Sequence, residues 1–245
     1  MSAKEIIVKP ISRRDADTVI KACHYSGKVV PNSQLHFGVF AGDKCGGAMQ
    51  FGPSMRKDLI APLVRGTGWN GFIELNRMAF ADWLPRNSES RAISVAMRMI
   101  RKSYPQLEWV VSFADGTQCG DGTIYRASGF VLTAIKRNSE MVVCPKTGQV
   151  MATMAAYHKG HAGEISTWKR LPGFMLRYIY FLNPAARSRL TCPILPFTEI
   201  QRRGAGMYRG KPTNQSAGSD TKDTPANHAG KGGSTPTPAL HSMKK

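Results

Sequence analysis

The sequence predicts one α/β domain of the α+β kind over residues 1–200, a mixed, mostly antiparallel central sheet flanked by helices, followed by a basic, disordered tail over residues 201–245. Three observations predict it. Apolar stretches of strand character are interleaved with stretches of helical spacing. One strand-like stretch breaks at Gly42-Asp43, the mark of an antiparallel hairpin. From Gln201 onward the chain has no Val, Ile, Phe, Trp or Cys and is dense in Gly, Pro, Ser, Thr and Asn. Such a segment buries too little apolar surface to offset its ordering entropy.

Residues 5–9 (EIIVK) read as the first strand. Ser12 opens a helix, with Asp15 three residues on as a capping-box variant, and Ala16, Val19, Ile20 and Cys23 recur at helical spacing. Residues 35–51 (LHFGVFAGDKCGGAMQF) form the hairpin, and 53–71, with their prolines, glycines and basic side chains, read mostly as loop. Residues 72–80 (FIELNRMAF) are a strand. A helix is predicted from Ser88 to Tyr104: Ile93, Ala96, Met97, Ile100 and Tyr104 share one face, Arg91, Arg98, Arg101 and Lys102 lie mostly elsewhere, and Pro105 stops it. Residues 107–130 run as a strand, break at Ala114-Asp115-Gly116, and continue as a short helix carrying Tyr125 that closes on Ser128-Gly129-Phe130. A strand follows near 131–136, the region to 173 carries no firm pattern, and 174–182 (FMLRYIYFL) is a late strand.

With 245 residues, 42% hydrophobic and 9% aromatic, the chain can build a real core. No run reaches the ~18 apolar residues of a membrane span, and the N-terminal MSAKEIIVKP lacks a signal peptide's apolar stretch, so no membrane partner is expected. Five scattered cysteines with no C-x-x-C pair argue against a zinc or disulfide framework and for a reducing cytoplasm. The net charge is +18. The last 45 residues hold eight Lys/Arg and two Asp/Glu, leaving 26 against 14, a net +12, on residues 1–200. A folded part that is itself basic calls for a polyanion, with nucleic acid the first candidate and a merely soluble basic protein the alternative.

The order strand–helix–hairpin–long strand–helix–strand–helix–strand resembles the GNAT acyltransferase fold. The resemblance implies that strand 72–80 parts from the next strand and that an acyl-CoA, acetyl-CoA or a relative, lies in the gap. Its pyrophosphate would meet the helix N-terminus near Ser88, where orphan amides and the helix dipole favour an anion. This chain departs from the usual glycine-rich loop: residues 81–90 (ADWLPRNSES) contain no glycine. Asn76, Arg77, Ser88, Ser90 and Arg91 are the candidate cofactor-binding residues, with Asn87 or Ser88 as a plain N-cap the simpler reading.

Four motifs sharpen the resemblance: His24-Tyr25-Ser26-Gly27, Leu75-Asn76-Arg77-Met78, Ser112-Phe113-Ala114-Asp115 and Gly122-Thr123-Ile124-Tyr125-Arg126-Ala127. In this order, on a basic chain, they are similar to the phage Mom DNA-modification family over nearly residues 1–200. That family converts adenine in DNA to an N6-carbamoylmethyl form and so shields phage DNA from host restriction. The resemblance implies a bacteriophage transferase acting on double-stranded DNA in the host bacterial cytoplasm, with iron as a second cofactor. A homodimer stays open.

His24, Tyr25, Arg77, Asp115 and Tyr125 are the candidate catalytic residues. His24 and Tyr25 end the first helix, either complementing its dipole or standing at the mouth of a pocket as proton-transfer groups or ligands. Asn76 and Arg77 interrupt an apolar strand; consecutive strand residues face opposite sides, so one pocket receives both only if a bulge intervenes. A buried Arg there needs an anionic partner. Asp115, beside a glycine at a strand end, is a turn aspartate or a general base, oriented by Ser112. Tyr125 aligns with the family tyrosine that protonates a leaving thiolate, or is a core tyrosine. His24, Tyr25, Asp115 and Tyr125 together are the candidate iron ligands, an imidazole, a carboxylate and two phenols that suit iron better than zinc.

Adenine N6 is a poor nucleophile, so a base near the amine and an acid near the leaving group would both help. Simple acyl transfer puts a carbonyl carbon on N6, whereas carbamoylmethylation needs a methylene there and a terminal amide; a further step must rework the two-carbon unit. The target base lies inside a duplex and must be flipped or locally melted, with Trp69, Trp83 and Tyr157 as stacking candidates. Two rivals remain: a conventional acetyltransferase acting on a protein or small amine, and a non-enzymatic basic DNA-binding protein. An adenine methyltransferase is disfavoured, because Asn183-Pro184-Ala185-Ala186 fails the third and fourth positions of its motif.

Overall fold

The computed structural model describes residues 2–208 and 211–213. β1 (Ile7–Pro10) leads into α1 (Arg13–Cys23), which starts where Ser12 Oγ accepts the Asp15 amide at 3.1 Å and so satisfies one orphan donor of the helix. β2 (Leu35–Ala41) and β3 (Lys44–Gly52) form the hairpin, α2 (Lys57–Ile60) is a single turn in the expected loop, and β4 (Phe72–Phe80) and α3 (Ser88–Ser103) fall where their patterns predict. β5 (Trp109–Asp115), α4 (Thr123–Ala127) and β6 (Val131–Asn138) complete the middle of the chain. Then come β7 (Met141–Val143), β8 (Val150–Ala152), α5 (Thr153–Ala156), β9 (Lys169–Arg170) and the long β10 (Gly173–Phe181). α6 (Thr198–Arg202), β11 (Met207–Tyr208) and β12 (Lys211–Pro212) follow.

Seven strands make the main sheet in the order β1-β2-β3-β4-β5-β10-β6. All its pairs are antiparallel except β4 with β5, which run parallel and keep register over only three residues, from Phe72–Trp109 to Glu74–Val111. Beyond Glu74 the two strands part. This splay is the feature expected of a GNAT-like fold, and it opens a gap in the middle of the sheet.

α3 covers one face. Its Ile93, Met97 and Ile100 are fully buried against Leu75, Phe80, Val110, Leu176 and Tyr178, each contributing roughly 1.5–3 kcal/mol by leaving water. α1 covers the other face, packing Ala16, Val19 and Ile20 on Ala48 and Ala79. Further along that face Phe72 stacks on Trp109, ring centroids 4.5 Å apart and nearly parallel at 9°.

One expectation changes. The patternless region before 173 forms a separate three-stranded sheet, β8-β7-β9, with its own core of Val142, Met151, Ile165 and Trp168; strands of two or three residues are too short to show alternation. Structure is also described past Gln201, where Ala205 is fully buried and Met207 nearly so. Most of the expected tail lies outside the described residues. Among the described residues no helix is long and apolar enough to cross a membrane.

Candidate active site

The site begins with an irregularity in β4. Gln50 pairs with Arg77 but the next residue of β3, Phe51, pairs with Leu75, so Asn76 is an extra residue. Leu75 and Met78 both pack on the α3 side, while Ala79 packs on the α1 side. Alternation from either end therefore turns Asn76 and Arg77 to the same α1-side face, together with Glu74. The bulge resolves the conflict between neighbouring strand residues. Gly52 makes room for it, since a Cβ there would stand 2.6 Å from Asn76 Oδ1.

Arg77 is held by two carbonyls, donating from Nε to Lys28 at 3.3 Å and from Nη1 to Asn76 at 2.8 Å. Asn76 Oδ1 and the neighbouring Gln50 Oε1 are buried without a donor among the described residues. Each such acceptor costs about 1–3 kcal/mol, so a ligand carrying N–H groups would be welcome here. Gln50 spends its amide on Asp17, donating from Nε2 at 2.6 Å.

His24 caps the C-terminus of α1, and Tyr25 lies against it with ring centroids 4.2 Å apart. The Ser26 backbone N–H donates to His24 Nδ1 at 3.1 Å, with Ser26 Oγ 2.8 Å from the same nitrogen. A backbone N–H can only donate, so in the neutral ring the proton sits on Nε2. The ring is neutral at ordinary pH: burial first, then the Arg77 charge, brings its pKa down to about 4.

From the far side of the splay, Ser112 Oγ reaches across to donate to the Leu75 carbonyl at 3.3 Å and stands close enough to the Tyr125 hydroxyl to lower its pKa. The Tyr125 ring is wedged between Phe130 and Tyr178, at 5.4 and 5.3 Å between centroids. Gly122, at the start of α4 with φ 83°, lies where a Cβ would come within 2.5 Å of the Tyr178 ring, so only glycine fits. Asp115 closes β5 as a turn aspartate: Oδ1 accepts the Thr117 amide at 3.0 Å and Asn138 Nδ2 at 3.1 Å. Cys119 donates from Sγ to the Asp115 carbonyl at 3.2 Å.

These groups share one electrostatic environment. Burial pushes Tyr125 up to about 12, with Ser112 partly offsetting it. Tyr25 is raised by burial and then by Cys119 and Asp115; it stays 53% exposed and is the better hydrated of the two phenols. Burial also raises Glu74, against the pull of Ser54, Asn76 and Arg77, and lifts Cys119 to about 11. The Arg77 charge is felt at His24, Tyr25, Glu74 and Tyr125. The cluster thus joins a guanidinium to neutral proton donors around a gap between two strands.

His24, Tyr25, Asn76, Arg77, Ser112, Asp115 and Tyr125 are therefore brought to one place. Ser88, Ser90 and Arg91 are not. Ser88 is buried and donates to the Pro85 carbonyl at 2.6 Å, Ser90 donates to the Asn87 carbonyl at 3.2 Å, and Arg91 faces solvent. Their hydroxyls serve the turn that starts α3 at Asn87, whose left-handed φ of 69° takes the place of a side-chain cap. Of the expected loop donors, the two serine hydroxyls are engaged within the turn, while the exposed Arg91 and the main-chain amides remain for an anion. Glu74, Gln50 and Cys119 were missed. A carboxylate inside FIELNRMAF, two residues before the Asn-Arg pair, was the signal for the first; nothing marked the others.

The four expected iron ligands are neighbours without forming a ligand set. His24 offers a protonated Nε2, Asp115 has committed Oδ1, and both phenols are held in the protonated form. Among the described residues no three His, Cys, Asp or Glu side chains cluster to hold a metal.

Fold and cluster together define a transferase-like enzyme with its polar groups at a strand splay. Residues 5–199 match the Mom protein family, and the chain belongs to that family. It is 37% identical over 210 residues to the methylcarbamoylase mom of Escherichia phage Mu, covering 77% of this chain and 80% of that protein. Among solved structures it is similar to a spermidine/spermine N-acetyltransferase from Vibrio cholerae, with TM-score 0.44, 9% identity, and 76% of this chain and 98% of that one covered. It is also similar to an IAA acetyltransferase from Bacillus cereus, with TM-score 0.42, 11% identity, and coverage of 72% and 99%.

Proposed function

We propose that this protein modifies adenine in double-stranded phage DNA, converting it to the N6-carbamoylmethyl form in the host cytoplasm and so protecting it from restriction. Membership of the Mom family and the Mu relative, a methylcarbamoylase, support the reading. The observation that carries it is the bulge at Asn76, which turns Asn76 and Arg77 to one face of the sheet, where the Arg77 charge is felt at His24, Tyr25 and Tyr125. A passive DNA-binding protein has no use for a guanidinium and several desolvated proton donors around a gap in its sheet.

The residues divide the work by chemistry. Asn76, on the face it shares with Arg77, offers a carboxamide of the kind that suits the exocyclic amine of an extruded adenine. Arg77 supplies fixed positive charge for an anionic group or a developing oxyanion. Tyr125, protonated and close to Ser112, is placed to deliver a proton to a leaving group. His24 stays neutral and steadies the Tyr25 ring it packs on. An acyl-CoA in the splay would supply the two-carbon unit, with Arg77 and Tyr125 beside its reacting end; joining the methyl carbon to N6 is a two-electron oxidation and the terminal amide needs a nitrogen, so an oxidant and an amine donor must enter besides, and the CoA thiol leaves. With the Ser88 and Ser90 hydroxyls donated to Pro85 and Asn87, the main-chain amides at the start of α3 would meet its pyrophosphate. For the DNA, α1 presents Arg13, Arg14 and Lys21 along its exposed side before ending at His24 and Tyr25, a basic strip leading to the site.

The test is mass spectrometry of nucleosides from cells expressing the chain. Deoxyadenosine carrying the mass of a carbamoylmethyl group is the expected product. Unmodified nucleosides alongside acetylated protein would replace this reading with a conventional acetyltransferase.

A further inference from the structure

A second feature lies on the same strand as the site. Trp69 is 79% exposed, yet its loop is tightly held. Thr67 Oγ1 donates to the Val64 carbonyl at 2.6 Å and accepts the indole N–H of buried Trp109 at 3.0 Å. Gly71 N–H donates to Gly68 at 2.9 Å, Glu108 N–H to Gly71 at 2.7 Å, and Arg65 N–H to Arg189 at 2.9 Å. An exposed indole on a stiff loop loses little freedom on meeting a ligand.

Trp69 borders a cavity of about 470 Å³ that is also lined by Lys57, Phe72, Gln34, Asn70 and Gln106, with no acidic residue in its wall. The Lys57 ammonium occupies the aromatic slot, 4.0 Å from the Trp69 ring centroid and 6.0 Å from that of Phe72. An aromatic platform, a mobile cation and three amides that can each donate and accept are the parts needed to hold a nucleobase and its phosphate. A lysine over an exposed ring is the weaker contact, and a base stacking on that ring is the stronger. The slot lies at Phe72 and Ile73, one to five residues along β4 from Glu74 through Arg77, about 3–16 Å at the rise of a strand.

We infer that this cavity is a second nucleobase site, which takes an unstacked base of the DNA strand flanking the target: the base stacks on Trp69, and Lys57 leaves the ring to pair with that nucleotide's phosphate. The inference rests on DNA being the substrate. It assigns Trp69 to a flanking base, separate from the adenine that enters the splay.

The test is fluorescence anisotropy of the full chain with a labelled single-stranded 12-mer across a salt series, comparing the parent with Trp69→Ala, Trp69→Phe and Lys57→Ala. The expected result is a roughly ten- to hundred-fold weaker Kd for W69A with an unchanged salt slope, near-parent binding for W69F, and a salt slope lower by about one for K57A. Circular dichroism melts confirm that each variant folds; should W69A not fold, Gln106→Ala and Asn70→Ala carry the test through a weakened Kd. Parent-like binding by folded W69A, or parent-like binding by both amide variants, overturns the site and leaves the DNA reading standing. A parent chain that binds no oligonucleotide even at low salt overturns both.

Discussion

Ser112 Oγ donates to the Leu75 carbonyl across the place where β4 and β5 stop pairing, at 3.3 Å. One hydroxyl thus closes the last rung of the sheet and also stands close to Tyr125. Ser112→Ala is expected to lose about 1–3 kcal/mol, because it leaves a buried carbonyl unpaired, and to lower adenine modification as Tyr125 loses its orienting group. Urea unfolding reads the first effect and nucleoside mass spectrometry the second. Parent-like stability would show that the contact is dispensable.

Tyr125→Phe keeps the ring between Phe130 and Tyr178 and removes only the hydroxyl. Modified adenine should fall by about 100-fold or more, the range for loss of a general acid, while oligonucleotide affinity stays within two-fold. A variant that modifies DNA at the parent rate would remove Tyr125 from the chemistry.

The His24 pKa near 4 lies below the ordinary histidine value of 6.5. Between those values the unfolded chain takes up a proton that the folded chain refuses, so stability contributed by the neutral ring is complete above about pH 6.5 and is lost as pH falls toward 4. Glu74 titrates in the opposite sense, being raised by burial, but is common to parent and variant. In His24→Gln the acid-side loss should shrink by on the order of 1–3 kcal/mol between pH 7.5 and 4.5. Equal pH slopes for the two proteins in urea unfolding would contradict a buried neutral imidazole.

Gly122→Ala introduces a Cβ at φ 83° and within 2.5 Å of Tyr178. Backbone strain and overlap together should cost about 2–4 kcal/mol and disturb the ring on which Tyr125 leans. A thermal melt unchanged from the parent would mean that α4 relaxes freely.

Long periodic segments were legible from sequence and short ones were not. Phe72–Phe80 and Ser88–Ser103 announced themselves because nine or more residues repeat one pattern, and Ser12 marked the start of α1 through its capping chemistry. β7, β8 and β9 span two or three residues each and leave no period to read. Ala205 and Met207 are buried within a stretch whose composition is polar, so composition alone does not mark them. At the candidate site, the motifs bring Arg77, Asp115 and Tyr125 into the electrostatic surroundings of Tyr25, while Glu74 is hidden in the sequence by its apolar flanks. Ser88 and Ser90 read as anion donors because sequence does not reveal that each hydroxyl turns back on a loop carbonyl.

Asn76 is the supernumerary residue of its strand. Shortening the chain by this one position would leave every other side chain between Phe72 and Phe80 on its present side of the sheet, while withdrawing a single carboxamide from the cleft.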